Sequence, residues 1–394
     1  MITLILAQVF QGRNVFMVFF ARIVCLSLLV ITSGCTKSSP PTGDTIRVGE
    51  VGSMTGSEST FGTSTHHGIE LAVKKINAAG GIQGKQIQLI SLDDQGKPEE
   101  AATATTKLIT QEKVVAILGE VASSRSLAMA PIAQQYKVPM ISPSSTNPKV
   151  TEVGNYIFRT CYIDPFQGAV MAKFATENLK FKKVAVLRDI KNDYSVGLAD
   201  VFVQSFKKMG GQILTDQSYS AGDMDFKAQL TAIRALHPEA IYVPGYYGDV
   251  ALIARQEKEL GLQVPLLGGD GWDSPKLKEI AGKNLDGSYL SNHYSAEDMS
   301  PVVQDFIREY KAAYGAVPDA LATLGFDAMN LLADSMKRAK SLATADIRDA
   351  INATRAFNAV SGKLTFDAKR NPEKSAAILK VVNGEFKFQT TIAP

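Results

Sequence analysis

Short β-branched runs alternate with helix-length amphipathic segments twice over between residues 45 and 292, and that rhythm leaves few folds open to the chain. Residues 45–51 form an apolar run ending in Gly52, and 68–78 then places Ile69, Ala72, Val73 and Ile76 at helical spacing. The same reading predicts strands at 86–92, 114–118 and 139–141, with helices at 98–110 and 126–136. It then restarts with helix 165–179, strand 183–188, helix 195–209, strand 212–218, helix 226–236, strand 240–243, helix 250–260 and strands 265–268 and 287–292. Strand–helix alternation of this kind makes parallel sheets covered on both faces. A chain of 394 residues also exceeds what one hydrophobic core serves. The expected fold class is therefore α/β, with two doubly wound parallel-sheet lobes. Helical patterns at 301–314 and 320–340 have no strand between them, so they are expected to return over the first lobe.

The first 34 residues are of another kind. They contain no Asp, Glu or Lys, and a largely apolar run at 23–31 follows Arg22, which is the order of an export signal. Arg13 and Arg22 break the stretch, so a permanent membrane span of about twenty apolar residues is disfavoured. The run stops at Thr32-Ser33-Gly34-Cys35, small residues before a cysteine, which resembles a lipoprotein processing site with Cys35 as the lipidated residue; Thr32 stands where such sites usually carry Leu. Met17 opens a signal of ordinary length, so either Met1 or Met17 serves as the start. Residues 35–44, rich in Ser, Pro and Gly, read as a tether. With Cys25 in the signal and Cys35 lipidated, Cys161 alone is left in the folded body and no disulfide is expected there.

Charge excludes one class of partner. The formal net charge is +3, and loss of Arg13 and Arg22 with the signal leaves about +1, without a basic stretch interleaved with aromatics, so no nucleic acid is expected. No Gly-x-Ser-x-Gly elbow, phosphate-loop lysine or cysteine–histidine constellation suggests an enzyme or a nucleotide cofactor. His66 and His67 are adjacent rather than three or four apart, so metal binding is not expected. Adjacent strand residues Asp93 and Asp94 point to opposite faces and make a poor acid–base pair. In open α/β sheets, ligands sit outside the carboxyl ends of strands. Those segments here hold Ser53–Gly62, Gly119–Ser124, Ser142–Thr146, Asp189–Tyr194, Pro244–Asp249 and Gly268–Trp272, rich in hydroxyls, glycines and aromatics.

Several of these segments carry a resemblance. Val51-Gly-Ser-Met-Thr-Gly56, Ile76-Asn-Ala-Ala-Gly-Gly-Ile82, Asp93-Asp94 with Pro98, Ile141-Ser-Pro-Ser-Ser-Thr146, Tyr194-Ser-Val-Gly-Leu198, Gly325-Phe-Asp-Ala328 and Gly362-Lys-Leu-Thr-Phe-Asp367 occur in this order. Together they resemble the type I periplasmic solute-binding proteins, in particular the leucine/isoleucine/valine-binding branch that serves ABC importers, over residues 46–388. The resemblance implies a receptor rather than an enzyme, exported to the periplasm and anchored through Cys35, that delivers an aliphatic or branched-chain L-amino acid to an ABC permease. It implies that Ser123, Ser144 and Thr146 hold the ligand's α-carboxylate and that Asp270 binds its α-ammonium, Asp270 being one carbon shorter than the usual Glu. Tyr194 and Tyr246 would close from the second lobe, and Phe61, Val121, Ala122 and Trp272 would line the side-chain pocket. The expected layout is 45–163 plus 295–358 as first lobe and 164–294 plus 359–394 as second, hinged at three strands near 162–165, 293–296 and 357–362.

Plainer readings compete with each of these. Ser and Thr at strand-to-helix turns are usually caps, and Gly-Asp-Gly is ordinary turn chemistry. The same fold also serves sensors and binders of amides or aromatic carboxylates. An amine-free carboxylate would be repelled by Asp270, and neighbouring permease and ATPase genes would favour transport over sensing.

Overall fold

The computed structural model describes residues 45–394. The signal peptide, Cys25, Cys35 and the tether lie outside the described residues.

Two sheets organise the body. The first has the order β2-β1-β3-β4-β5, all parallel, from β1 (Ile46–Gly52), β2 (Ile87–Asp93), β3 (Ala116–Leu118), β4 (Met140–Ser142) and β5 (Ile157–Arg159). The second uses β6 (Lys183–Asp189), β7 (Gln212–Tyr219), β8 (Ala240–Tyr242), β9 (Leu266–Gly268) and β10 (Tyr289–Asn292) as a parallel set. The short central strands are buried along their whole length, as strands covered on both faces must be.

The alternation did not predict the rest of the second sheet. After a small ladder of β11 (Phe357–Ala359) and β12 (Gly362–Leu364), strands β13 (Ala376–Val382) and β14 (Glu385–Ile392) add to β10 as an antiparallel edge. Asn383 and Gly384, both at positive φ, make the two-residue turn between them, the Asn-Gly pair that a tight hairpin favours. Leu364 and Phe366 still pack in the core of the first sheet, beside Phe158, so the third passage between lobes falls after Phe366 rather than at 357–362. Apolar packing, rather than the strand pattern, decides where the chain leaves.

The helix Ala320–Arg338 joins the first lobe's core with Ala328, Met329, Leu331 and Leu332 against Ile46, Val48, Ile69 and Ala72. Its partner is the helix Ser59–Ala78, and two glycines permit the approach. A Cβ on Gly68 would lie 1.9 Å from the carbonyl oxygen of Ala322, and one on Gly325 2.5 Å from that of Thr65. Both obstacles are backbone, so neither can rotate away. Gly68→Ala should therefore destabilise by about 3 kcal/mol or more, measured by urea denaturation; a loss under about 0.5 kcal/mol would mean that the two helices do not meet this closely.

Candidate functional site

The carboxyl ends of both parallel sets face one another, and the segments beyond them converge on a cavity lined by Phe61, Val121, Ser123, Ser144, Tyr194, Tyr246, Asp270, Gly271 and Leu321. Seven of the ten sequence-predicted ligand residues meet there. Ala122 and Thr146 are buried beside the cavity without lining it. Trp272 was expected in the pocket; it does not line the cavity but is fully buried in the apolar cluster that also holds the cavity's Phe61, Val121 and Leu321, its indole N–H donating to the Val243 carbonyl at 3.0 Å. The chain makes one 3-10 turn over Asp270–Trp272, of which Asp270 and Gly271 line the cavity and Trp272 does not.

Asp270 is the centre of the arrangement. Its Oδ1 accepts from Gln167 Nε2 at 2.7 Å and from the Tyr194 hydroxyl at 3.0 Å; its Oδ2 accepts from His293 Nε2 at 3.0 Å and from Ser144 Oγ at 3.4 Å. Burial alone would raise this carboxyl, but the donors from His293, Gln167 and Tyr194 outweigh it and hold Asp270 below the usual carboxylate range. The longest of the four bonds comes from Ser144, across from the first lobe, and is the easiest to exchange.

Behind Asp270 lies a second carboxyl that the sequence reading missed. Asp164 opens the helix Asp164–Lys173 and is fully buried, which pushes it up to about 8, with the negative charge of Asp270 acting in the same direction and the Thr146 hydroxyl against it. Asp164 is therefore mostly protonated at neutral pH. Gln167, one turn along the same helix, and His293, at the second passage between lobes, were also missed. A helix start and a crossing strand give no local signal of a pocket; Asp at N1 before Pro165 reads as capping alone.

The first lobe supplies hydroxyls and a helix start. Ser123 is the first residue of the helix Ser123–Tyr136, whose leading N–H groups have no partner within the helix and favour an anion. Arg159, fully buried, donates to the carbonyls of Ser145 and Asn147 and so braces the Ser144–Thr146 loop from below. Asp93 and Asp94 turn out to hold the loop after β1: Asp93 accepts from the backbone of Met54 and Thr55, and Asp94 from Ser53 Oγ at 2.8 Å. Glu120 and Glu58 pair with the buried Arg125 at 3.1 and 2.7 Å, fixing the segment that presents Val121 and Ser123.

Aromatic rings complete the wall. Tyr194 stacks on Tyr246 with centroids 5.3 Å apart, and Phe61 reaches from the first lobe to meet Tyr246 and Tyr247 edge-on at 5.3 and 5.0 Å. Around them the lobes are joined by Thr60–Ser274 at 2.8 Å, Tyr247 to the Ser57 carbonyl at 2.7 Å, Asn147 Nδ2 to the Asp193 carbonyl at 2.9 Å and the Ala320 N–H to Asp273 Oδ2 at 2.8 Å. The cavity left inside is about 10 Å³, room for roughly one water. An organic solute can enter only if these contacts open. A larger cleft of about 580 Å³ runs past Thr60, Asp273, Ser274, Tyr294 and Asp319. It contains none of Ser123, Ser144, Tyr194, Tyr246 and Asp270, which converge on the small cavity, so the small cavity is the better candidate.

Comparison with known proteins agrees with this geometry. A family model described as periplasmic binding protein matches residues 45–385. A leucine-binding protein from Thermotoga maritima is 42% identical and superposes with a TM-score of 0.85, covering 89% of this chain and 99% of its own. A branched-chain amino acid transporter substrate-binding protein from Streptococcus pneumoniae, solved with isoleucine, is 35% identical with a TM-score of 0.85, covering 89% of this chain and 100% of its own. A Leu/Ile/Val-binding protein homologue from Brucella melitensis is 31% identical over 82% of this chain and 87% of its own. Two facing α/β lobes, a carboxylate and hydroxyls between their strand ends, and these matches together make the chain a member of the periplasmic binding protein family.

Proposed function

We propose that this protein is an extracytoplasmic receptor that captures an aliphatic or branched-chain L-amino acid between its lobes and presents it to an ABC permease. One observation carries the reading: a buried, ionised Asp270 borders the cavity on one side while Ser123 and the start of a helix border it on the other. That is a negative pole and an anion-binding pole on one small cavity, the pattern of an α-amino acid's own head group. Ser123 and Ser144 take the carboxylate, with Thr146 behind them, and the ammonium replaces Ser144 on Asp270 Oδ2. Phe61, Val121 and Leu321, with Tyr194 and Tyr246, then surround the side chain. The proteins it resembles carry leucine and isoleucine in their names or structures, which supports the aliphatic class.

Closure follows from the division of the site. Each lobe offers half of the contacts, so a ligand touching both favours the closed arrangement. Export by the N-terminal segment and lipid attachment at Cys35 would hold the receptor at the membrane beside its permease.

The test is a thermal-shift panel on protein refolded to strip carried-over solute. Leucine, isoleucine or valine at a hundredfold excess over Kd should stabilise it by about 2.7 kcal/mol. Stabilisation only by benzoate-like acids or amides would overturn the reading.

A further inference from the structure

His293 is the one imidazole placed on the carboxylate that the proposed ammonium needs. Its Nε2 lies 3.0 Å from Asp270 Oδ2, its ring stacks on Tyr162 at 3.9 Å, and its side chain is buried. Nδ1 has no hydrogen-bond partner among the described residues. A neutral ring with its hydrogen on Nε2 satisfies this environment, because only the charged form would need an acceptor at Nδ1.

We propose that Asp270 and His293 form a proton-coupled latch for the ligand's ammonium. With the imidazole neutral, the pair presents one net negative charge to the cavity and holds a cationic group. A proton taken up at His293 cancels that charge, and the ammonium loses its counter-ion. The inference rests on the amino-acid reading above and adds a regulation to it.

The charges around His293 agree. Burial lowers its affinity for a proton, Asp270 and Asp273 act against that, and the Lys374 ammonium reinforces it. Lys374 is itself buried and donates to the Thr160 carbonyl and to Ser361 Oγ. From the helix Asp164–Lys173 comes the Asp164 carboxyl, and from the preceding passage the Tyr162 phenol, which burial keeps neutral. Asp164 titrates near 8 and His293 below the ordinary imidazole value of 6.5, so the two act in separate windows. The sign is the same in both: fewer protons mean a more negative pocket and tighter ammonium binding.

Calorimetric titration of L-leucine between about pH 4.5 and pH 8 tests the latch. In the unaltered protein, Kd should weaken about tenfold per pH unit once pH falls below the imidazole's pKa, one proton competing with one ligand. His293→Gln retains an N–H donor for Asp270 but cannot take a proton, so, whatever its affinity for leucine at about pH 8, it should lose that acid-side slope. Equal slopes in both proteins, or no slope in the unaltered one, would overturn the latch while leaving the amino-acid reading intact. No leucine binding at any pH would remove both. If the variant does not fold, the nitrogen shifts of His293 at about pH 7 decide: the neutral form protonated on Nε2 is expected, and an imidazolium overturns the proposal.

Discussion

Replacing Asp270 by asparagine should weaken leucine binding by about 2–5 kcal/mol, or roughly 30-fold to several thousand-fold in Kd. The carboxylate accepts from four donors, Gln167, Tyr194, His293 and Ser144. An amide offers one accepting oxygen, and its nitrogen would turn hydrogens against one pair of those donors. The ligand's ammonium would then lose its charge partner and meet a misdirected dipole in a closed, poorly hydrated space. The fold should survive, because the backbone of the turn is anchored by Trp272 beneath it rather than by Asp270 alone. Calorimetry with leucine, together with a circular dichroism spectrum, checks both halves. A Kd within about threefold of the original, a change worth under 1 kcal/mol, would remove Asp270 from the site.

Trp272→Ala should cost about 3–5 kcal/mol of stability, since Trp272 is the largest fully buried side chain among the described residues. The indole is fully buried in the apolar cluster that includes Phe61, Val121, Val250, Leu266 and Leu277, and its N–H satisfies the Val243 carbonyl just past β8. Removing it leaves a hole and an unpaired carbonyl under the turn that aims Asp270. Urea denaturation measures the loss. A cost under about 1 kcal/mol would mean that the indole faces the ligand cavity, where truncation opens space to solvent instead of a void.

The contrast between these two neighbours shows what the sequence could carry. Strand–helix alternation located β1 to β4 and β6 to β10, because short buried strands between amphipathic helices leave a periodic trace. It led from there to the loops, and the resemblance to periplasmic solute-binding proteins singled out Ser123, Ser144, Tyr194, Tyr246 and Asp270 within them. It could not say which way each loop side chain turns. Asp270 and Trp272 are two residues apart, yet one meets polar donors at the cavity and the other packs in an apolar cluster. The hairpin of β13 and β14 had its own signal in Asn383-Gly384, but that signal competes with the expectation of parallel strands that the preceding residues create. Asp164, Gln167 and His293 were hidden for a different reason. They come from a helix start and a lobe crossing, 106, 103 and 23 positions from Asp270, and only the assembled fold brings them to its carboxylate.

Electrostatics divides the site into parts that sequence alone treats alike. Asp164 and Asp270 are both buried carboxyls near one cavity, yet burial raises the first to about 8 while donors hold the second down. Only the second is a fixed anion at neutral pH. The distinction rests on partners: four donors meet Asp270, and among the described residues neither oxygen of Asp164 has a hydrogen bond of good geometry.

The most direct test of the central claim is a crystal structure of the refolded protein grown with L-leucine. The account predicts the ligand's nitrogen within about 3 Å of Asp270 Oδ2, in the place of Ser144 Oγ, with the ligand's carboxylate at Ser123 and the first turn of its helix. A ligand bound with its nitrogen elsewhere, and Asp270 still holding all four of its present partners, would contradict it.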